Sequence, residues 1–186
     1  MILVTHNDLD GAGCEIVARW FYSELTSERI YHCDYDVVDS LVERLLSTTT
    51  DKIIIADISV KKEPAIEIEK NYKDRVELFD HHQTVIPYLG QYSWVKLDMA
   101  RCGTKLLFDT LQKRYKEINV PKLLEDFVFY VNDYDLWIHS SPISSQINDM
   151  LYLLGLHVFA ENMLQKMRAN QPLIGDSDQL DRKSVV

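Results

Sequence analysis

The sequence predicts an α/β fold: a three-layer, doubly wound, mostly parallel sheet with a helical C-terminal cap. Three observations predict it. Short apolar runs rich in Ile, Val and Leu alternate with amphipathic stretches of helical period through the first hundred residues, as in a parallel sheet crossed by helices. From Gly103 onward only the helical pattern continues. Finally, four clusters of acids and histidines punctuate the chain, and three of them follow an apolar run directly. In an open parallel sheet such strand ends converge on one edge, where ligands bind.

Taken in order, residues 1–5 read as a buried strand. Residues 11–25 read as a helix with Ile16, Val17, Trp20 and Phe21 on one face. Residues 29–33 form a short strand. Residues 36–47 form a second helix whose stripe is Val37, Leu41, Val42, Leu45 and Leu46, ended by Thr48-Thr49-Thr50. Residues 52–56 make a strong central strand. Residues 63–72 are helical, opening near Pro64 in keeping with the first-turn preference of proline. Residues 75–79 and 94–97 are further strands. Helices follow over 104–115 and 121–137, with one or two more between 144 and 167. The parallel connections are expected to be right-handed crossovers. Residues 1–140 therefore read as one domain, 141–170 as a helical extension packed on it, and 171–186 as a flexible tail.

The bulk properties narrow the function classes. The chain has 186 residues and a net charge of −9, so a basic surface that steers long nucleic acid, including long duplex DNA, is not expected. Two bound divalent ions would offset part of that charge, and a short phosphate substrate remains compatible. Cys14, Cys33 and Cys102 are odd in number and form no CxxC pair, which points to reduced thiols and a cytoplasmic protein. The chain opens directly on a strand, and no signal peptide or run of about 18 apolar residues stands in it, so no membrane partner is expected.

The four clusters are His6-Asn7-Asp8-Leu9-Asp10-Gly11, Ala56-Asp57-Ile58-Ser59, Asp80-His81-His82 and Asn132-Asp133-Tyr134-Asp135. Carboxylates and imidazoles are the ligands of hard and borderline divalent metals. In extended backbone alternate residues share a face, so His6, Asp8 and Asp10 can point the same way as the first strand ends. Each cluster has a plainer reading: a polar turn with Asp10 capping the next helix, a strand-end acid or cap at Asp57, a solvated turn at the triplet. Asp133 and Asp135 are two apart and cannot share a helix face; Asp135 reads as the ligand and Asp133 as a helix-end or supporting acid. Arg101-Cys102-Gly103-Thr104 opens a helix, where the N–H groups of Gly103 and Thr104 could meet a phosphate and Arg101 could clamp it bidentately. An ordinary helix start is the equal alternative. His32 reads as structural, and His139 and His157 as surface or core positions. Tyr130, Tyr134, Trp137 and Tyr152 could stack bases or fill core; core is favoured. Cys14 has no base partner and reads as inert.

The segments THNDLDGAGC, DHHQT and YDLW, in this order and context, resemble the DHH phosphoesterase family, closest to its nano-RNase, oligoribonuclease and RecJ-like branch. The resemblance spans residues 1 to about 140 and covers the DHH domain only. No Gly-Gly-Gly-His-like run is present, and Gly155 and Gly175 are isolated. The resemblance implies a two-metal phosphoesterase acting on short oligonucleotides or small, including cyclic, nucleotides. It implies one ion on His6, Asp8 and Asp57 and a second on Asp10, Asp57, His81 and Asp135, with Asp57 as the bridge. A metal pair about 3.5–4 Å apart activates water and relieves phosphoryl charge. Mn²⁺ suits this mixed ligand set best, with Mg²⁺, Co²⁺ or Zn²⁺ as alternatives. Within the triplet, His81 reads as the ligand, His82 as the group facing the phosphate or protonating the leaving oxygen, and Asp80 as the acid orienting a histidine. A homodimer is compatible. A binding module without turnover and a pyrophosphatase or small phosphatase are the competing readings.

Overall fold

Five short strands of aliphatic residues form one sheet in the computed structural model, which describes residues 1–175. They are β1 (Ile2–Thr5), β2 (Ile30–His32), β3 (Ile53–Ala56), β4 (Val76–Asp80) and β5 (Val95–Leu97). All neighbours pair in parallel, in the order β2-β1-β3-β4-β5. Every residue of β1 and β3 is buried, as expected for strands covered on both faces. From β1 the chain builds outward first to β2 and then, on the other side, to β3, β4 and β5. The switch point therefore lies between β1 and β3, where a crevice opens beyond the strand ends.

Strand alternation divides the core into two layers. Leu3, Ile54 and Phe79 face one side, with α1 (Leu9–Phe21), α5 (Gly103–Arg114), α6 (Lys122–Asp135), α7 (Pro142–Leu154) and α8 (Leu156–Arg168). Val4, Ile55 and Leu78 face the other, with α2 (Val38–Thr48), α3 (Lys62–Asn71) and α4 (Ile86–Leu89). The expected three layers are present, and the sheet is parallel throughout. Ile147, Met150, Phe159 and Met163 share one apolar cluster with α1 and α6. Residues 141–170 thus complete the layer on that face and have no separate core of their own. The tail expected over 171–186 falls, from residue 176 on, outside the described residues.

Several boundaries shift from the periodicity, the first helix ending at Phe21 and not near residue 25, and two differences concern the site edge and the element count. The first helix begins at Leu9, two residues earlier than expected, because the Asp8 side chain accepts from Gly11 N at 3.0 Å and caps it. Asp8, not Asp10, is the cap. α4 is absent from the sequence reading; four residues are too few for a period to show. Among the described residues, Cys14, Cys33 and Cys102 are free and buried, and no helix is long and apolar enough to cross a membrane.

Candidate metal centre

The C-terminal ends of β1, β3 and β4 deliver the first three clusters to one edge of the sheet, and the last turn of α6 brings the fourth. His6 follows β1, and its Nδ1 lies 2.7 Å from Asp8 Oδ2. Burial works to raise the Asp8 carboxyl, but the bonds from His6 and Gly11 win and hold it below its usual range. The same contact with Asp8 raises His6. The extended alternation expected for His6, Asp8 and Asp10 stops at Asp8. Asp10 lies inside the first turn of α1, so it faces the centre by helical geometry.

Asp10 is fixed from the opposite side by the start of α5. Gly103 N and Thr104 N donate to its two carboxylate oxygens at 2.6 and 2.8 Å, and the Thr104 hydroxyl donates to its backbone carbonyl at 2.7 Å. A helix N-terminus favours a negative charge, and here the charge is a side chain of the protein. Of the two readings of this helix start, the N–H groups of Gly103 and Thr104 serve an internal carboxylate, not a free phosphate site. Glycine is required at 103: a Cβ there would stand 2.7 Å from Asp57 Cβ. Arg101 is likewise committed, with its guanidinium 2.8 and 2.6 Å from Asp98 Oδ2 and 2.9 Å from Asp109 Oδ2. The bidentate phosphate clamp expected of Arg101 is thus made to two acids of the chain.

Asp57 ends β3 in the left-handed region, with φ 58°. Such a backbone costs on the order of 1 kcal/mol for a non-glycine residue and persists where its surroundings determine it. Here Asp57 N donates to Phe79 O at 2.9 Å, and the carboxylate stands with His6 and Asp8 at the edge of the sheet. His81 Nε2 sits among three carboxylates: Asp57 Oδ1 at 3.3 Å, Asp135 Oδ2 at 3.5 Å and Asp10 Oδ2 at 3.6 Å.

Three overlapping sets of potential ligand atoms emerge, each within 4.8 Å: His6, Asp8 and Asp57; Asp10, His81 and Asp135; and Asp57, Asp80, His81 and His82. Asp57 Oδ1 adjoins the second set through His81. Asp57 Oδ2, His81 Nε2 and Asp135 Oδ2 are buried without a hydrogen-bond partner. Buried polar atoms left unpaired are rare and costly. Burial, then Asp10 and Asp8, push Asp57 well above the carboxylate range and Asp135 up to about 8. Mutually repelling carboxylates with orphaned oxygens facing an imidazole nitrogen fit divalent cations.

The remaining acids serve the surround. Asp80 is buried; its Oδ1 lies 2.6 Å from His82 Nδ1 and accepts from His81 N at 2.7 Å, while the Ser59 hydroxyl donates to Oδ2. That leaves Nε2 as the outward nitrogen of His82. Contact with Asp80 raises the His82 pKa. Burial works to raise the Asp133 carboxyl, but donors from Ser140 and Ser144 hold it near 2. Ser140 N, Ser140 Oγ and Ser144 Oγ reach it at 2.8, 2.5 and 2.5 Å. Asp133 therefore ties α6 to the start of α7, while Asp135, two residues on, faces the centre.

His32 spans from His6 O, 2.8 Å from its Nδ1, to Glu15 Oε2, 2.7 Å from its Nε2, and so braces the first loop. His139 and His157 are exposed. Of the aromatic set, Tyr130 and Tyr134 pack against the core, whereas Trp137 and Tyr152 are 81% and 80% exposed. Cys14 is buried beneath the centre, 3.8 Å from the Thr104 hydroxyl. The sequence reading passed over Tyr35, whose hydroxyl lies 3.2 Å from His82 Nε2, and Asp34, 3.8 Å from His6 Nε2. Their signal was available: Asp34-Tyr35-Asp36 is one more acidic cluster just past a strand.

A parallel α/β sheet with overlapping histidine–carboxylate sets at its switch point has the build of a metal-binding α/β domain. The model of the DHH family, N-terminal domain, matches residues 1–130, and the chain belongs to that family. It is 27% identical over 190 residues to oligoribonuclease NrnB of Bacillus subtilis, a match covering 94% of this chain and 47% of that protein. It is 27% identical over 152 residues to a 3',5'-cyclic-nucleotide phosphodiesterase of Helicobacter pylori, covering 72% and 42%. The chain thus spans less than half the length of these curated relatives. A crystal structure of an uncharacterized protein from Helicobacter pylori G27 superposes with a TM-score of 0.74 at 20% identity, covering 98% of this chain and 60% of that one.

Proposed function

We propose that this chain is a two-metal phosphoesterase domain that hydrolyses phosphodiester bonds of short oligonucleotides or small, including cyclic, nucleotides. The observation that carries the reading is the adjacency of two ligand sets, with Asp57 of the first 3.3 Å from His81 of the second. The names of the two curated relatives, an oligoribonuclease and a cyclic-nucleotide phosphodiesterase, support the substrate class. His6, Asp8 and Asp57 would hold one ion and Asp10, Asp57, His81 and Asp135 the other. Such ions, Mn²⁺ first by ligand type, supply an activated water and relief of phosphoryl charge when bound.

The chain's own residues do the rest. The start of α5 fixes Asp10, so its carboxylate keeps one orientation. Asp80 fixes the His82 ring and raises its pKa, which favours the protonated ring. Nε2 then donates that proton to the leaving oxygen. Arg101, neutralised by Asp98 and Asp109, contributes no clamp to this account. Trp137, exposed two residues beyond Asp135, offers a nucleobase a stacking surface. Buried free thiols fit a reducing, cytoplasmic setting.

Substrate length tests the reading. Phosphate neutralisation by Lys and Arg supplies most non-specific affinity for long strands, and the net charge of −9 opposes it. With Mn²⁺, kcat/KM is expected to be higher on a dinucleotide than on a 24-mer, with weak salt dependence, and to vanish after EDTA. Full activity after rigorous chelation, or preference for the 24-mer with a steep salt slope, would contradict the proposal.

A further inference from the structure

Tyr35 stands three residues beyond β2, the edge strand, yet its hydroxyl reaches His82, beyond β4. β2 and β4 are separated by β1 and β3, roughly 14 Å at ordinary strand spacing. The segment after β2 therefore leans across the mouths of both intervening strands. Its ring centroid lies 5.3 Å from that of His6 and 5.9 Å, edge-on, from that of His82. Tyr35 thus roofs the gap between a histidine of the first ligand set and the outward histidine of the triplet.

Burial does not account for this contact. Tyr35 is 44% exposed, so water could satisfy its hydroxyl without His82. The partner it holds is the one ring nitrogen of His82 that Asp80 leaves free. A phosphoryl oxygen approaching His82 Nε2 arrives where the Tyr35 hydroxyl already lies. Arg101, the cation expected at this phosphate, is bound elsewhere, so a neutral donor at the mouth has a role to fill.

We propose that Tyr35 is a substrate-positioning residue: its hydroxyl gives up its contact with His82 Nε2 and donates a hydrogen bond to a non-bridging oxygen of the bound phosphate, while its ring walls the site between His6 and His82. This rests on the phosphoesterase reading above. A hydrogen bond to a charged partner is worth about 1.5–3 kcal/mol, roughly 10- to 100-fold in affinity.

The test is calorimetric titration of inorganic phosphate, and separately of Mn²⁺, into the whole chain and into Tyr35→Phe, with kcat and KM on a dinucleotide alongside. The phenyl ring keeps the wall and removes only the hydroxyl, and thermal melting confirms that the variant folds. Expected is a roughly 10- to 100-fold loss of phosphate affinity in Mn²⁺, a matching loss in kcat/KM, and unchanged Mn²⁺ binding. A merely structural tyrosine would not move phosphate affinity at constant metal binding. Phosphate affinity and kcat/KM within twofold of the parent chain overturn the inference. Parallel loss of Mn²⁺ also overturns it, because the residue then acts through the metal ligands. A parent chain that takes up Mn²⁺ but no phosphate overturns the reading of the site as well.

Discussion

Asp57→Asn is expected to abolish turnover and metal uptake while making the metal-free protein more stable. The opposite signs come from one carboxylate. Asp57 is 2% exposed, and burial, Asp10 and Asp8 all raise its pKa. A group whose folded pKa is raised contributes stability that is complete below its unfolded pKa, near 4 for a carboxylate, and is lost as pH rises towards the folded value. At neutral pH burial of this group therefore opposes folding until a cation meets it. Asn removes the charge, keeps the shape and tolerates the left-handed backbone at this position. In EDTA the variant is expected to melt above the parent chain. In Mn²⁺ the order reverses, because ligand binding stabilises only the chain that retains the site. Loss of a shared metal ligand removes several kcal/mol of charge stabilisation, on the order of a 10³-fold drop in kcat or more. An Asp57→Asn chain that keeps its Mn²⁺ and its rate would contradict the assignment.

His82→Ala is expected to leave both ions in place and lower kcat, by roughly 10²- to 10⁴-fold for a lost general acid. His82 shares the triplet with His81 but not its surroundings. His81 Nε2 faces three carboxylates, whereas His82 turns one nitrogen to Asp80 and the other outward, and is half-exposed. Truncation opens space at the mouth and leaves in place the six residues of the sets His6, Asp8, Asp57 and Asp10, His81, Asp135. Asp80 keeps donors from His81 N and Ser59, so the loop stays anchored. Mn²⁺ titration and steady-state kinetics of the variant decide the point. Loss of metal to the degree expected of Asp57→Asn would show that the two histidines do not divide the work in this way.

Much of this was legible in the sequence because strand ends carry both signals at once. Ile53-Ile54-Ile55 announces a buried strand, and Asp57 immediately past it announces chemistry. The same holds for Val4 and His6, and for Phe79 and His81. What escaped the sequence depends on distance along the chain. The separation of 93 positions between Asp10 and Gly103 hides the fact that the α5 N-terminus binds an internal carboxylate; locally, Gly103-Thr104 looks the same whether its partner is a phosphate or Asp10. Arg101 likewise meets Asp109, eight residues away, only once α5 has formed. The geometry offered for Asp10 failed because a capping aspartate at position 8 starts the helix early and ends the extended alternation. Tyr35 was missed for a related reason: nothing in the order of residues 33–37 reports that this edge segment crosses two strands to meet His82.

The most direct measurement is electron paramagnetic resonance of the whole chain titrated with Mn²⁺, with the bound ions counted by equilibrium dialysis. A shared Asp57 carboxylate predicts two ions per chain close enough, about 3.5–4 Å, to give an exchange-coupled spectrum that disappears in Asp57→Asn. One ion per chain, or two with uncoupled spectra, would contradict the shared centre on which the account rests.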